Sequence, residues 1–129
     1  MTEKDMLQRT KAFALRIMKL VDALPKTAAG KAISAQLVRS GTSVSANYRA
    51  ACRGRSKAEF VAKLGVVEEE ADESAHWLEL IMEGGLLREE LVQDLHKEAC
   101  EITAMMSASK ITARARMRSQ IANRNSQIK

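Results

Sequence analysis

At 129 residues the chain is long enough for one domain whose hydrophobic core needs no disulfide or metal to support it. It is 46% hydrophobic but only 3% aromatic, with Pro25 as its single proline, so aliphatic side chains must build the core and helix is favoured over sheet. The net charge of +5 is compatible with a polyanionic partner, and no stretch has the ~18 consecutive apolar residues of a membrane span. The predicted class is all-α.

The first two helices are predicted from apolar residues that recur every three or four positions. The first covers about residues 3–24, begins at Thr2 with a capping box, and is ended by Pro25. The second covers about residues 28–53, with Thr27 as its N-cap. The connection between them is only a few residues long.

The third helix has the clearest start in the chain, because Ser56 followed by Glu59 is a capping box just before an apolar run. It is predicted over residues 57–83, and the fourth helix over residues 88–112. Short loops between long helices force neighbours to be antiparallel. The sequence therefore predicts an antiparallel, up-down-up-down four-helix bundle.

The end of the chain differs in composition from the four helices. After Lys110 the apolar period fades in the sequence ITARARMRSQIANRNSQIK. The bundle is therefore assigned to residues 1–118, and residues 119–129 are predicted to form a basic, disordered C-terminal tail.

Charge is distributed in blocks along the chain. Residues 26–57 hold seven bases and no acid, residues 58–100 hold twelve acids and three bases, and residues 101–129 hold six bases and one acid. Such blocks either pair helices within an assembly or attract a polyanion. The candidate nucleic-acid-binding residues follow the second and fourth helices: Arg49, Arg53, Arg55, Lys57, Lys110, Arg114, Arg116 and Arg118.

The second helix carries polar residues where a bundle core would be expected, and buried polar groups need hydrogen-bonding partners. Acidic residues of the third helix could supply them. The predicted polar network, within or between subunits, consists of Gln36, Arg39, Ser43, Asn47, Glu69, Glu70, Asp72 and Glu73. A small-molecule or metal pocket is the alternative interpretation of this set.

A metal site has limited support in the sequence. Glu73 and His76 have the Glu-x-x-His spacing of carboxylate-bridged metal bundles, but such sites need two of these motifs. The second is missing, because Gln93 stands where a glutamate should precede His96. No metal or cofactor is predicted, and a carboxylate site at Glu70, Glu73 and His76 is the weaker alternative.

No catalytic residue is predicted either. Cys52 and Cys100 have no CxxC spacing and no histidine at a readable spacing, and there is no GxSxG motif or glycine-rich loop after a strand. The cysteines are interpreted as buried or partly buried reduced thiols. Together with an N-terminal sequence, MTEKDMLQRT, that lacks an apolar region, this predicts a non-enzymatic cytoplasmic protein.

Three residues of unusual type lie inside the helical patterns. Gly65 is predicted to mark a close approach by another helix, since glycine in a helix interior costs roughly 1 kcal/mol against alanine. Tyr48 and Trp77 are interpreted as core or interface packing rather than as platforms for stacked bases.

The run GKAISAQLVRSGTSVSANYRAACRGRSKAEFVAKLGVVEEEADESAHWLELIMEG resembles the signature of the bacterial four helix bundle proteins, also called 23S rRNA intervening-sequence proteins. The segments QLVRSGTSV, ANYRAACRGRS and EEADES..WLE carry the resemblance. It implies a ring-like homopentamer with no enzymatic activity and no cofactor. The fold is also similar to accessory proteins of diversity-generating retroelements, which are basic and associate with nucleic acid.

Two functions follow as hypotheses. The first is an oligomeric scaffold that binds RNA or DNA through backbone charge. The second is a protein assembly module, such as an accessory subunit of a nucleic-acid-processing enzyme, with no direct contact to nucleic acid. The expected partners are copies of the chain itself, then nucleic acid or such an enzyme, and not a membrane.

Overall fold

The computed structural model of the protein describes residues 1–128, and four helices account for the regular structure in that range. They are α1 (Glu3–Val21), α2 (Ala28–Cys52), α3 (Lys57–Glu83) and α4 (Glu89–Ile128). Each helix packs against the next, and α4 packs back against α1, which closes an antiparallel bundle. The predictions of an all-α chain and of four helices are confirmed.

The helix starts are fixed by local hydrogen bonds. The N-caps are Thr2, Thr27 and Ser56, as predicted. Thr2 and Asp5 form a complete capping box. At α3 the Ser56 hydroxyl accepts from the Glu59 backbone N–H, but the Glu59 carboxylate accepts from the backbone N–H of Arg55 at 2.6 Å, one residue before the N-cap. The Glu59 carboxylate therefore ties the preceding turn to α3, while Ser56 alone caps the helix and the predicted capping box is incomplete.

The core is aliphatic and runs along the whole bundle. Residues with no or almost no exposure come from every helix: Phe13, Ile17, Leu37, Val44, Leu64, Val67, Leu78, Ile81, Ile102 and Met106. These positions follow the spacings of three and four residues that predicted the helices. Burial of this apolar surface is the main contribution to the stability of the domain.

The last helix differs from its prediction, because α4 runs to Ile128 instead of ending near residue 112 before a disordered tail. Residues 111–128 contain no glycine or proline and are rich in alanine, arginine and glutamine, which are good helix formers. The loss of apolar period marks a loss of packing and not of helix. Lys129, the end of the predicted tail, lies outside the described residues. Despite this length, no helix within residues 1–128 is apolar enough to cross a membrane.

One close helix approach occurs at a glycine, but not at the one predicted. A Cβ on Gly65 would have one neighbour from another helix of residues 1–128 within 4 Å, the Lys110 Cδ atom at 3.9 Å. A Cβ on Gly41 would lie 2.8 Å from the Ile17 Cγ1 atom, closer than two carbons can come. Gly41 therefore allows α1 and α2 to approach, whereas no helix within residues 1–128 makes the close approach predicted at Gly65.

Candidate nucleic-acid interface

Two basic stretches that are distant in sequence meet at one end of the bundle, where α1 and α3 begin and α2 ends. A cavity of about 550 Å³ at this end is lined by Glu3, Phe60 and Arg116, among others. A neighbouring groove is lined by Glu3, Phe60, Arg55 and Lys57. Because Glu3 and Phe60 border both hollows, the turn after α2 and the C-terminal part of α4 lie beside the same two residues. We call this region the basic end.

Seven of the eight candidate bases are exposed: Arg49, Arg53, Arg55, Lys57, Arg114, Arg116 and Arg118. None of these seven forms an ion pair with a carboxylate of residues 1–128, where the paired bases are Arg9, Arg39, His96 and Lys110. Their charge is therefore not neutralised by the acids of α3 in the same chain.

The eighth candidate, Lys110, has a different role. Its Nζ atom donates to the Glu68 Oε1 atom at 2.6 Å, and both side chains are largely covered. The pair joins α4 to α3 and neutralises the lysine. Lys110 is therefore placed by the structure in the packing of the bundle.

Two further bases belong to the basic end. Lys11 of α1 lines a groove together with Arg49 and Arg53 of α2, and Arg124 is exposed near the end of α4. Nothing in the local sequence distinguishes Lys11, because only the packing of α1 on α2 brings it there. Arg124 was overlooked because its segment was predicted to be disordered.

Helix dipoles do not explain this accumulation of bases. A helix C-terminus carries about half a negative charge, which Arg49 and Arg53 partly offset at the end of α2. The N-termini of α1 and α3, with the opposite sign, lie at the same end of the bundle. The dipoles therefore largely cancel there, and the excess positive charge remains.

The aromatic side chains are used in packing. Phe13 is fully buried and Tyr48 is 6% exposed, while Phe60 and Trp77 pack against the core from partly buried positions. The interpretation of Tyr48 and Trp77 as packing residues agrees with this placement. The basic end thus has no exposed ring on which an unpaired base could stack.

Part of the predicted polar network connects α2 to α3. Arg39 contacts the carboxylates of Glu70, with Nη1 and Oε2 3.2 Å apart, and of Glu73. In the core beside this cluster, the fully buried hydroxyls of Ser40 and Ser74 lie 2.8 Å apart. The two serine hydroxyls satisfy each other in the core, whereas the buried Glu70 Oε2 atom has its ion-pair contact with Arg39 but no hydrogen bond within residues 1–128.

The remaining members of the set are not brought together. The Asn47 side-chain amide donates to the Ser43 carbonyl of its own helix at 2.9 Å. Gln36, Glu69 and Asp72 are exposed, and their side chains form no hydrogen bond within residues 1–128. Only Arg39, Glu70 and Glu73 form the predicted link between helices in one chain.

The alternative metal site at Glu70, Glu73 and His76 does not assemble. Both carboxylates contact Arg39, and the exposed His76 ring lies edge-on to Trp77 with ring centroids 5.2 Å apart. Among residues 1–128 no group of three or more His, Cys, Asp and Glu side chains has the arrangement of a metal site.

Cys100 and His96, one helical turn apart on α4, lie together although no cysteine–histidine contact was predicted. The Cys100 Sγ atom is 3.8 Å from the His96 Nε2 atom, and the same nitrogen is 2.9 Å from the Glu79 Oε2 atom. One nitrogen serves both contacts, so the ring cannot relay a proton from thiol to carboxylate. Burial, and then the charges of Glu79 and Asp72, raise the pKa of the Cys100 thiol. The cluster therefore lacks the activated thiolate of a nucleophile.

Cys52, at the basic end, is also a protonated thiol. It is partly buried, and burial followed by the neighbouring Glu3 carboxylate raises its pKa to about 11. The surrounding bases do not outweigh these two effects. Neither thiol thus has the depressed pKa of a catalytic cysteine.

The fold and the basic end define a small helical-bundle protein without a recognisable catalytic constellation in the described residues. The family model of the 23S rRNA-intervening sequence proteins matches residues 2–108, and the chain belongs to this family. The chain is also similar to a solved structure from Bacteroides thetaiotaomicron, described as a protein of unknown function from the S23 ribosomal protein family. The two share 29% identity with a TM-score of 0.75, over 85% of this chain and 98% of the other. No curated protein sequence matches the chain.

Proposed function

We propose that the protein is a non-enzymatic, oligomeric scaffold that associates with RNA or DNA through the charge of the phosphate backbone. The observation that carries the proposal is the basic end, where exposed bases from α2 and α4 converge without forming an ion pair with any acid of residues 1–128. The family description, which refers to intervening sequences of 23S rRNA, is consistent with a nucleic-acid partner.

Binding at such a surface is driven by counterion release. Each phosphate that a lysine or arginine neutralises frees a condensed cation, so affinity falls steeply as salt rises. Assembly with copies of the chain would present several basic ends at once and multiply weak contacts into useful affinity. Recognition would be of backbone charge and shape, because contacts to phosphate carry little sequence information.

The test replaces two bases at each end of the bundle. Arg114→Ala with Arg116→Ala removes charge from the basic end, and Lys26→Ala with Lys31→Ala removes equal charge from exposed positions at the opposite end. The first variant should bind unrelated nucleic-acid sequences more weakly, and its plot of log affinity against log salt should be less steep by about 0.9 for each phosphate that is no longer neutralised. The second should keep the parent slope.

Equal losses of affinity in the two variants would mean that only net charge matters and that the basic end is not a site. Retention of full affinity by both variants would place the binding surface elsewhere. Thermal unfolding of each variant checks that the exposed substitutions leave the bundle intact.

Self-assembly with further copies of the chain is the second candidate function, and one observation favours it. The Trp77 indole N–H is buried but has no hydrogen-bond acceptor within residues 1–128. A buried indole N–H usually finds an acceptor, and Leu80, one turn further along α3, is 39% exposed. A second copy of the chain could supply the acceptor and cover the leucine, in keeping with the homopentamer that the family resemblance implies.

Light scattering on Leu80→Gln tests this surface. The variant should form smaller particles than the parent at equal concentration and should unfold normally. Leu91→Gln, which changes a leucine on α4 that is 52% exposed, is the control. A monomeric parent protein would end this candidate and leave only direct binding of nucleic acid or of a processing enzyme.

A further inference from the structure

The last part of α4 extends past the rest of the bundle. Lys110 lies beside Glu68 and Gly65 of α3. Because the helices are antiparallel, counting onward places Lys57, the first residue of α3, level with about residue 118. Residues 119–128 therefore project beyond α3 by about 15 Å at 1.5 Å per residue. Residues 118–127 are all exposed.

This segment, residues 111–128, which we call the α4 arm, has a definite charge pattern. Arg114 and Arg118 are one turn apart and share a face, while Arg116, two residues from each, lies on the other side and borders the cavity. Arg124 adds a fourth arginine, and the arm contains no acid and no aromatic residue. A rigid helix thus presents positive charge on two opposite flanks.

We infer that the basic end takes double-helical nucleic acid in preference to single strands, with the α4 arm lying along a groove between the two phosphate backbones; this rests on the proposed function. Positive charge on both flanks of a helix matches two backbones that border one groove. Sites for single strands instead use exposed aromatic side chains, on which bases stack. The basic end has none, since Phe60 packs against the core and Tyr48 is buried.

The dimensions agree with this arrangement. The arm is about 27 Å long, of which about 15 Å projects beyond α3, and with its side chains it is about 10–12 Å wide. The major groove of B-form DNA is about 12 Å wide and admits a helix. The deep major groove of A-form RNA is too narrow, so on RNA the arm would contact the backbone across the wide, shallow minor groove. Both duplexes present two phosphate backbones to the arm, and binding assays show which duplex is preferred.

The experiment compares duplex DNA, duplex RNA and unstructured single strands, each with the same number of phosphates, at one low salt concentration. Tighter binding to either duplex supports the inference, and the preferred duplex identifies the source. Single strands that bind as tightly as both duplexes would overturn it and leave the proposed function standing. Failure to bind any of the three would overturn the proposed function itself.

A pair of full-length variants tests whether the helical form of the arm matters. Ser119→Pro breaks the helix by removing an N–H and clashing with the preceding turn, yet keeps every arginine, whereas Ser119→Ala keeps the helix. Ser119→Pro should lower duplex affinity on the order of tenfold, the equivalent of one charge-assisted hydrogen bond, with single-strand affinity unchanged. Equal duplex affinities for the two variants would overturn the arm as the binding element.

Discussion

Lys110 of α4 and Glu68 of α3 are joined by a 2.6 Å hydrogen bond between Nζ and Oε1, and their side chains are only 21% and 23% exposed. The pair lies where α4 still packs on α3, just before the arm begins. Of the bases that follow the core of α4, Lys110 therefore holds the bundle together, and the arginines after it remain available to a partner.

Lys110→Ala should accordingly lower stability without changing nucleic-acid binding. Removal of a partly covered, charge-assisted hydrogen bond is expected to cost about 1 kcal/mol in urea unfolding. The slope of log affinity against log salt should stay at the parent value. Arg114→Ala is the matched control and should show the reverse pattern, with normal unfolding and a shallower slope. A shallower slope for Lys110→Ala would return this lysine to the binding surface.

Alanine at two helical glycines should have opposite effects. Gly65→Ala adds a methyl group that no atom of another helix within residues 1–128 approaches closer than 3.9 Å, so the gain in helix propensity should raise stability by up to about 1 kcal/mol. Gly41→Ala places its Cβ against Ile17 and should lower stability by about 1–3 kcal/mol through overpacking. Thermal unfolding of both variants measures the difference. If Gly41→Ala were as stable as the parent, α1 and α2 would not be in tight contact at this point.

Acid should weaken the contact between Arg9 and Glu98. The guanidinium donates to both carboxylate oxygens, at 2.8 and 2.6 Å, and lowers the pKa of Glu98 below its ordinary value of 4.5. Since the folded-state pKa is the lower one, the stabilisation is complete above the unfolded-state pKa and is lost as the pH falls through the folded-state pKa. Glu98→Gln should be about 1–2 kcal/mol less stable at neutral pH.

The difference between the parent and Glu98→Gln should disappear in acid, where the parent carboxylate is protonated. Urea unfolding across the pH range measures it. Glu101→Gln is the control, because this second partner of Arg9 is 48% exposed and should contribute little at any pH. A difference that persisted at low pH would trace the effect to packing instead of charge.

The Cys100 side chain is exposed, but we expect it to be alkylated more slowly than an exposed cysteine with an ordinary thiol pKa. Burial comes first and the charges of Glu79 and Asp72 follow in raising the pKa of this thiol, so little thiolate exists near neutral pH. Glu79→Gln removes one of these charges and should speed the reaction of Cys100 with iodoacetamide several-fold, while Glu83→Gln, also on α3, should not. Identical rates for the two variants would show that the Glu79 charge does not control the reactivity of the thiol.

The sequence predicted most of the fold because the signals are local. The capping residues Thr2, Thr27 and Ser56 act within one turn, and an aliphatic stripe along each helix leaves little choice of buried face. The end of α4 was misjudged because apolar period reports packing, and a helix of good formers continues without it. The structure also differs from the prediction at Gly65, because the sequence does not show which atoms lie opposite a glycine.

The candidate site was harder to predict because it depends on which helix ends lie together in the bundle. The bases after α2 and after the core of α4 are visible in the sequence, but their convergence follows from the antiparallel closure of the bundle. Lys11 and the pairing of Lys110 with Glu68 involve residues from other helices and leave no local mark. The one-turn spacing of His96 and Cys100 could have been found, but the contact of His96 with Glu79 could not.

The Arg9–Glu98 contact spans 89 residues of sequence, whereas α1 with α2, α2 with α3 and α3 with α4 meet across short turns. Hairpins of neighbouring helices close at small entropic cost, so the three sequential pairings are expected to form first in folding and the junction of α1 with α4 last. That junction should also be the first to open in native-state hydrogen exchange. Its opening would separate the start of α1 from α4 while α2 and α3 stay packed, so the end of the molecule that we propose to bind nucleic acid would also be the first to change shape.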